Sequence, residues 1–154
     1  MMSTEAVYGA QRPPFIITTD PARFDVDAIW GWLRRSYWSP GIPRETVARA
    51  IRNSVSFAMF EGDKPVGFAR VVTDRATFAY LADVFVDEAA RGRGLGRWLV
   101  EVIAAHPDLQ GLRRWMLGTR DAHGLYARCG FRPLAHPEIF MEIHRPDVYQ
   151  SGGA

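Results

Sequence analysis

Glycines and arginines alternate near the middle of the chain, in the stretch RGRGLGRWLV (residues 91–100), and an apolar run follows them. Glycine costs a helix about 1 kcal/mol relative to alanine, so three glycines where a helical pattern begins need another reason. A helix N-terminus presents unpaired N–H groups and the positive end of the helix dipole. Because glycine has no Cβ, an anion can approach those amides closely. The stretch therefore predicts an anion cradle, most naturally for phosphate.

The spacing of these glycines excludes two phosphate-binding loops. The kinase-type loop requires a Gly-Lys pair, which the chain lacks, and the dinucleotide fingerprint requires G-x-G-x-x-G near the first strand. The pattern Arg91-x-x-Gly94-x-Gly96 instead resembles the (Q/R)-x-x-G-x-(G/A) motif of the GCN5-related N-acetyltransferases, the GNAT family. In that family the amides of this loop hold the pyrophosphate of coenzyme A.

Two further stretches carry the same resemblance, which extends over roughly residues 57–131. Upstream, ADVFVDEAARGRG is similar to the family's fourth strand and its exit, with Val84 and Val86 at the apolar positions and Glu88 in place of a proline. Downstream, GLYARCGF resembles the family's lYek.GF signature, with Tyr126 and the final Gly-Phe pair in place. Thr119 stands where many members carry asparagine, and its hydroxyl can still hydrogen-bond.

The resemblance implies which residues contact acetyl-CoA, the co-substrate. The pyrophosphate would lie on the loop and the first turn of its helix, at Arg91, Gly92, Arg93, Gly94, Leu95, Gly96 and Arg97. The family's pantetheine arm pairs with the fourth strand, which implicates the backbone of Val84, Phe85 and Val86. Thr119 and Tyr126 match two further positions of the family's site. No metal is expected.

The implied reaction moves an acetyl group from acetyl-CoA to a primary amine, by direct attack in a ternary complex. Tyr126 matches the family residue that donates a proton or hydrogen bond to the leaving thiolate. The attacking amine must be neutral, so a base or a water relay is usual. Asp83 is the only carboxylate of the predicted fourth strand. It is either that base or the ion-pair partner of an arginine such as Arg70 or Arg75, because an unpaired buried charge is unfavourable.

Two other classes of function remain open at this point. A non-catalytic acyl-CoA-binding module would keep the loop without transfer, and the presence of Tyr126 argues against it. An arginine-rich RNA-binding domain is disfavoured, because the arginines are scattered and the formal net charge is only +2. We expect a small-molecule or peptide amine as the acceptor, and neither nucleic acid nor membrane as a partner. A homodimer is compatible with the sequence.

The elements that would position these residues are strands and helices in mixed order. Strands are predicted at residues 15–19, 54–60, 65–73, 77–86, 113–119 and 138–144. Helices are predicted from Asp20 or Asp25, from Pro43, from Leu95 and within residues 121–131. This order is typical of an α/β domain with a mixed, mostly antiparallel sheet and helices on both faces. The strand at 77–86 is expected to be buried on both faces, and the resemblance implies that the family's fourth and fifth strands splay apart.

Length and composition fit one such domain. The chain has 154 residues, 47% of them hydrophobic and 23% charged, and residues 1–12 and 146–154 are expected to be loose termini. Cys129 is the only cysteine, which excludes an intramolecular disulfide. Neither a signal peptide nor a membrane-spanning run is visible, so we expect a cytoplasmic protein.

Overall fold

A six-stranded mixed sheet forms the centre of the computed structural model, which describes residues 5–150. Its strands, in spatial as well as chain order, are β1 (Gly9–Arg12), β2 (Phe15–Thr18), β3 (Val55–Glu61), β4 (Lys64–Thr73), β5 (Phe78–Val86) and β6 (Arg114–Met116). Neighbouring strands are antiparallel except β5 and β6, which are parallel. The α-helices of the same range are α1 (Val26–Leu33), α2 (Arg44–Arg52), α3 (Leu95–Ala104) and α4 (His123–Arg128). The predicted fold class is confirmed.

Helices cover both faces of the sheet. Phe68 and Ala69 are consecutive residues of β4, so their side chains point to opposite faces, and both are fully buried. Ala69 belongs to a hydrophobic cluster with Leu99 of α3, whereas Phe68 belongs to a second cluster with Ile29 of α1 and Val47 of α2. The two clusters hold α3 on one face and the α1–α2 pair on the other.

Local sequence accounts for where the helices begin. The side chain of Asp25 accepts a hydrogen bond of 3.0 Å from the N–H of Ala28 and so caps α1. Pro43, which has no N–H to satisfy, immediately precedes α2. Gly94 precedes α3 with a left-handed backbone, at φ +74°. All three starts lie at or next to the predicted residues.

Two parts of the strand prediction near the chain ends are wrong. Residues 9–12, expected in a loose terminus, form β1 beside β2, and the neighbouring Tyr8 donates a 3.1 Å hydrogen bond from its hydroxyl to the carbonyl of Val102. Residues 138–144, predicted as a last strand, begin in a short 3-10 turn (Pro137–Ile139) and continue without regular secondary structure, pairing with no strand of residues 5–150. At the C-terminal end, the Gln150 side chain donates to the carbonyl of Pro40 at 2.7 Å. Residues 1–4 and 151–154 lie outside the described range.

The central strands also depart from the prediction in length and burial. β6 spans three residues rather than the predicted seven. β5 is not buried on both faces: Phe78 and Tyr80 are exposed, whereas Ala79 and Leu81 are buried, and residues 82–86 are half-buried. The second half of β5 is half-buried because β6 ends beside Tyr80 and leaves that half unpaired on one edge. Between residues 5 and 150, no helix is long and apolar enough to cross a membrane.

Candidate active site

A cleft opens where β5 and β6 separate. The two strands pair only between Phe78–Tyr80 and Arg114–Met116. Beyond this point β5 continues to Val86, while the chain after β6 turns towards α4. The space between them has a volume of about 640 Å³ and is lined by both strand ends, the α1–α2 loop and the start of α4. This separation is the expected splay.

A β-bulge shapes the β5 wall of the cleft. Phe68 pairs with Phe85 and Arg70 pairs with Ala82, so the two residues Asp83 and Val84 face only the single residue between Phe68 and Arg70. Asp83 has φ +55°, a left-handed conformation that is rare for a residue with a side chain. The bulge directs the Asp83 carboxylate into the cleft, where it is part of the lining.

Both oxygens of the Asp83 carboxylate are engaged as acceptors. Oδ2 accepts from Nε of Arg70 at 2.6 Å, and Oδ1 accepts from the indole Nε1 of Trp38 at 2.8 Å. Arg75, the other arginine considered, pairs instead with Glu5 at 2.6 Å. The ion pair of Asp83 is therefore with Arg70. Whether Asp83 also serves as a base stays a prediction.

Two consecutive aromatic residues bridge the mouth of the cleft. Trp38 contacts the β5 wall through Asp83. The hydroxyl of Tyr37 accepts a 3.0 Å hydrogen bond from the N–H of Arg120 on the opposite wall, and the Arg120 guanidinium lies 3.9 Å from the centre of the Tyr37 ring. The sequence analysis identified neither Tyr37 nor Trp38 as a site residue. No local signal marks this pair, because its partners lie 45 and 83 positions along the chain.

The glycine loop leaves a continuous run of backbone N–H groups free. Within the described residues, the six N–H groups from Gly92 to Arg97 have no hydrogen-bond acceptor, and Trp98 is the first to bond back, to the carbonyl of Gly94 at 3.1 Å. Gly92 and Gly94 have φ of +85° and +74°. A Cβ built on either would meet nothing within 4 Å, so the loop faces open space. These are the features of an anion cradle.

The loop lies next to the cleft. A Cβ at Gly96 would stand 3.6 Å from Cδ2 of Leu125 in α4 and 4.0 Å from Cγ2 of Val86 at the end of β5. The first turn of α3 is therefore placed between the last residue of β5 and the residue before Tyr126. The glycine loop, the end of β5 and the helix that carries Tyr126 were predicted from separate stretches of the sequence, and the structure brings them together here.

Each of the three loop arginines already has a partner within the chain. The partners are the carbonyl of Val86 for Arg91 (2.9 Å), the Glu61 carboxylate for Arg93 (3.6 Å) and the Glu101 carboxylate for Arg97 (2.8 Å). The side chains of Arg93 and Arg97 are about half exposed. Such exposed ion pairs contribute about 0–1 kcal/mol to the free energy of unfolding. A bound anion can therefore compete with the carboxylate for either arginine.

The open edge of β5 carries the backbone groups predicted to pair with a ligand. The N–H of Asp87 donates to the carbonyl of Val66 on β4 at 2.7 Å. Because backbone groups alternate between the two sides of a strand, those of Val84 and Val86 point away from β4, and Val84 is part of the cleft lining. Phe85, which was predicted with them, is paired with β4 through its backbone. Its ring stacks on that of Trp32, with centroids 5.0 Å apart.

Tyr126 and Thr119 lie on the α4 side of the cleft. Tyr126 is buried and packs edge to face on Phe131, with ring centroids 6.0 Å apart. Burial raises the pKa of the Tyr126 phenol to about 12, so the phenol keeps its proton at neutral pH. The Thr119 hydroxyl accepts from the N–H of Ala122 at 3.0 Å and so fixes the start of α4. Residues 5–150 contain no group of three or more His, Cys, Asp or Glu arranged to hold a metal ion.

Known proteins share both the sequence pattern and this geometry. Residues 22–131 match the Acetyltransferase (GNAT) family. A crystal structure from Xanthomonas campestris pv. campestris, assigned to the same family, superposes with a TM-score of 0.88 at 46% identity and covers 92% of this chain and 100% of that one. A Gibberella zeae protein named as an acetyltransferase, FG08082, is 32% identical over 140 residues, or 76% of this chain and 78% of that protein. Glucosamine 6-phosphate N-acetyltransferase 1 of Oryza sativa is 42% identical over 53 residues, 34% of this chain and 32% of that protein. The chain belongs to the GNAT acetyltransferase family.

Proposed function

We propose that this acetyltransferase takes its acetyl group from acetyl-CoA and transfers it to a primary amine by direct attack in a ternary complex. One observation supports this above the others. Six consecutive free N–H groups, Gly92 to Arg97, stand at the N-terminus of α3 and beside the open edge of β5. An anion joined to an extended arm fits this arrangement, because the amides bind the anion and the strand edge binds the arm.

The loop side of the cleft binds acetyl-CoA in this proposal. The free amides hold the pyrophosphate, and the positive end of the α3 dipole adds to the attraction. Arg93 and Arg97 exchange their exposed carboxylate partners for phosphate oxygens, which accept charge-assisted hydrogen bonds. The backbone of Val84 and Val86 pairs with the amide groups of the pantetheine arm. Acetyl-CoA supplies the activated acyl group as a thioester.

The reaction forms one bond and breaks another. The amine nitrogen bonds to the thioester carbonyl carbon, the carbon–sulfur bond breaks, the amine loses a proton and the thiolate gains one. A backbone N–H at the open edge of β5, that of Val84, donates to the carbonyl oxygen as charge develops there. Tyr126 donates the proton to sulfur. Its buried phenol retains that proton at neutral pH, since its pKa is raised to about 12.

Asp83 has two roles that its contacts allow. Each carboxylate oxygen has a second lone pair beyond the one used by Arg70 or Trp38, so it can still accept the amine proton. The same two contacts make Asp83 an anchor that holds Trp38 across the cleft. The two roles can be distinguished by substitution. Loss of a base lowers turnover, whereas loss of an anchor lowers folding stability.

The acceptor enters from the side of Tyr37 and Trp38. Aromatic rings line this part of the cleft, at Tyr37, Trp38, Tyr80 and Tyr149. Charged groups of both signs stand between them. Similarity to a glucosamine 6-phosphate N-acetyltransferase over a third of the chain supports an amine as the acceptor class. No comparison supports the acyl-CoA-binding module or the RNA-binding domain.

The proposal is tested by calorimetry and by a thiol-release assay. We expect coenzyme A to bind in calorimetry. We also expect free thiol to appear when acetyl-CoA is mixed with the enzyme and at least one member of an amine panel containing glucosamine 6-phosphate, polyamines, amino acids and peptide N-termini. Mass spectrometry of the acceptor should show one added acetyl group. Binding without amine-dependent thiol release across the panel would favour the binding module, and absence of binding would remove the loop assignment.

A further inference from the structure

Among the described residues, two arginines line the cleft, and only one of them has a carboxylate partner. Arg70 donates to Asp83 at 2.6 Å, so these two charges offset each other. Arg120 stands on the wall that follows β6 and forms no ion pair with any residue of the described range. A guanidinium without a carboxylate, in a cleft that holds a small molecule, is a donor for an anionic group of that molecule.

Tyr37 holds Arg120 in place without using its side-chain donors. The backbone N–H of Arg120 donates to the Tyr37 hydroxyl at 3.0 Å, and the guanidinium lies over the Tyr37 ring, 3.9 Å from its centre. A guanidinium stacked on a ring keeps the N–H groups along its planar edge available for a carboxylate or a phosphate. The Arg120 side chain is exposed, so a ligand can reach these groups from solvent.

The reacting end of the acceptor belongs on the other side of the same aromatic pair. The ring centre of Trp38 lies 5.0 Å from that of Tyr37, and the Trp38 indole donates to Asp83 at 2.8 Å. Asp83 is the candidate base, and Tyr126 lines the same cleft. A path along the two rings therefore leads from the amine end of the cleft to the Arg120 guanidinium.

The aromatic pair sets the length of an acceptor that reaches both ends. In an α-amino acid the amine and the carboxylate are attached to one carbon, which is too short to extend past two aromatic side chains. An acceptor that contacts both Asp83 and Arg120 needs several bonds between its amine and its anion. Tyr37, Trp38 and Tyr80 line the cleft and are 41%, 41% and 38% exposed, so their rings are available to contact the linker between the two groups.

One acidic residue of the cleft would favour the opposite class of acceptor, a diamine. Asp121 lines the cleft and forms no ion pair within residues 5–150. Burial raises the pKa of the Tyr126 phenol, and the charge of Asp121 adds to that increase. Asp121 therefore acts near the reacting end, where a negative charge attracts the incoming ammonium. The far end of the cleft is left with the positive charge of Arg120.

We propose that the acceptor is a small amine that carries a carboxylate or a phosphate several bonds from its nitrogen, and that Arg120 binds this anionic group. The inference rests on the proposed transfer to an amine and names the class of amine. The amine lies beside Asp83 and Tyr126, the anion lies at Arg120, and the rings of Tyr37 and Trp38 contact the linker.

Three acceptors of similar length test the charge at the far end. They are 6-aminohexanoate, hexylamine and 1,6-diaminohexane, compared by kcat/KM in the thiol-release assay. We expect 6-aminohexanoate to exceed hexylamine about tenfold, as for one hydrogen bond to a charged group, and 1,6-diaminohexane to be the poorest. Glucosamine 6-phosphate against glucosamine makes the same comparison for phosphate. Glycine should be poorer than 6-aminohexanoate, because it is too short to reach Arg120.

Substitution of Arg120 tests whether this residue causes the preference. Arg120→Gln should abolish the preference, chiefly by raising KM for 6-aminohexanoate, and should leave acetyl-CoA affinity unchanged. Arg120→Glu reverses the charge and should make 1,6-diaminohexane a better acceptor than 6-aminohexanoate. Because Arg120 is exposed, both variants should fold, which circular dichroism checks.

Arg49→Gln is the matched control. Arg49 is an exposed residue of α2 outside the cleft lining, and it forms no ion pair within the described residues. The change in charge is the same, so a general effect of net charge would appear in both variants. The preference for 6-aminohexanoate should persist in Arg49→Gln.

Product binding separates this proposal from the proposed reaction. Calorimetry with coenzyme A present compares 6-acetamidohexanoate with N-hexylacetamide and requires no turnover. Tighter binding of 6-acetamidohexanoate that is lost in Arg120→Gln supports the anion site, even in an enzyme that acetylates none of these amines. In that case only the proposed reaction fails.

Three results would overturn the anion site. The first is equal or undetectable binding of the two products together with no preference for 6-aminohexanoate or glucosamine 6-phosphate over its neutral counterpart. The second is a preference for the anionic compounds that survives in Arg120→Gln. The third is faster acetylation of glycine or 1,6-diaminohexane than of 6-aminohexanoate by the wild type.

Discussion

The two sides of the cleft are built in different ways. On the loop side, six free N–H groups come from one continuous stretch, and backbone conformation aims them. On the opposite side, the lining comes from the α1–α2 loop, β4, β5, the chain after β6 and the C-terminal segment. Its geometry depends on side-chain contacts such as Trp38 to Asp83 and Tyr37 to Arg120, which join distant parts of the chain.

Because the two sides are built differently, we expect substitutions on one side to change acetyl-CoA binding and substitutions on the other to change turnover. A cradle of main-chain groups holds a phosphate in the same way whatever the acceptor, whereas side chains set the position of the acceptor and of the transferred protons. Substitutions on the loop side should therefore change the affinity for acetyl-CoA. Substitutions at Tyr126 and Asp83 should change turnover or stability and leave that affinity alone.

The largest effect is expected for Tyr126→Phe. The phenylalanine keeps the ring and its packing on Phe131 but removes the donor. A hydrogen bond to the developing thiolate is stronger in the transition state than in the bound thioester, so kcat should fall about 100-fold with little change in acetyl-CoA affinity. Steady-state kinetics and calorimetry measure the two quantities.

Tyr8→Phe is the control for this substitution. It removes the hydroxyl of the half-buried Tyr8, which donates to the carbonyl of Val102, but Tyr8 lies away from the cleft and its loss should leave kcat unchanged. The raised pKa adds a pH test: loss of the Tyr126 proton should not lower kcat near pH 10, where a free tyrosine ionises, but only towards about 12. If Tyr126→Phe has the wild-type kcat under conditions where the chemical step is rate-limiting, Tyr126 serves only in packing.

A smaller effect, on stability, is expected for Asp83→Asn. The amide has one acceptor oxygen for two donors, Arg70 and Trp38, and its NH2 group must face one of them. Loss of a hydrogen bond to a charged group should lower the free energy of unfolding by about 1–3 kcal/mol, measured by urea denaturation. Asp27→Asn is the control, because its pair with Arg44 is exposed and contributes about 0–1 kcal/mol.

Turnover decides between the two roles of Asp83. If it is a base, kcat falls in a variant that is still folded, and the acidic limb of the rate–pH profile moves. If it is only an anchor, the loss is confined to stability. A variant as stable and as active as the wild type would exclude both roles.

The smallest effect is expected for Gly94→Ala. Gly94 has φ +74°, a conformation that costs a residue with a Cβ about 1–2 kcal/mol. The loop should relax in the free protein and be restored on binding, so the dissociation constant for acetyl-CoA should rise about tenfold in calorimetry. Gly111→Ala is the control, since Gly111 has φ +73° and equally open surroundings outside the loop. Equal affinities for the two variants would contradict the distinction between the two sides of the cleft.

Sequence alone was enough to predict the loop and the elements that position it. Gly92 and Gly94 are informative because only glycine adopts positive φ at low cost, so residue type reports backbone conformation directly. The same holds for the start of α1, which the sequence predicts at Asp20 or Asp25 and which Asp25 caps in the structure, and for the start of α3 at Leu95. In each case the relevant interaction spans a few residues, and the spacing in the sequence records it.

Only the tertiary structure decided which side chains meet across the cleft and which strands find a partner. Asp83 could have paired with Arg70 or Arg75, and the choice follows from the register of β4 against the bulged β5. Residues 138–144 alternate in polarity as a strand does, yet they pair with no strand of the described chain. An alternation with a period of two shows which face of a strand is apolar, but it does not show which segment covers that face. Strand partners and cross-cleft contacts depend on the relative placement of distant segments, which residue type and spacing do not encode.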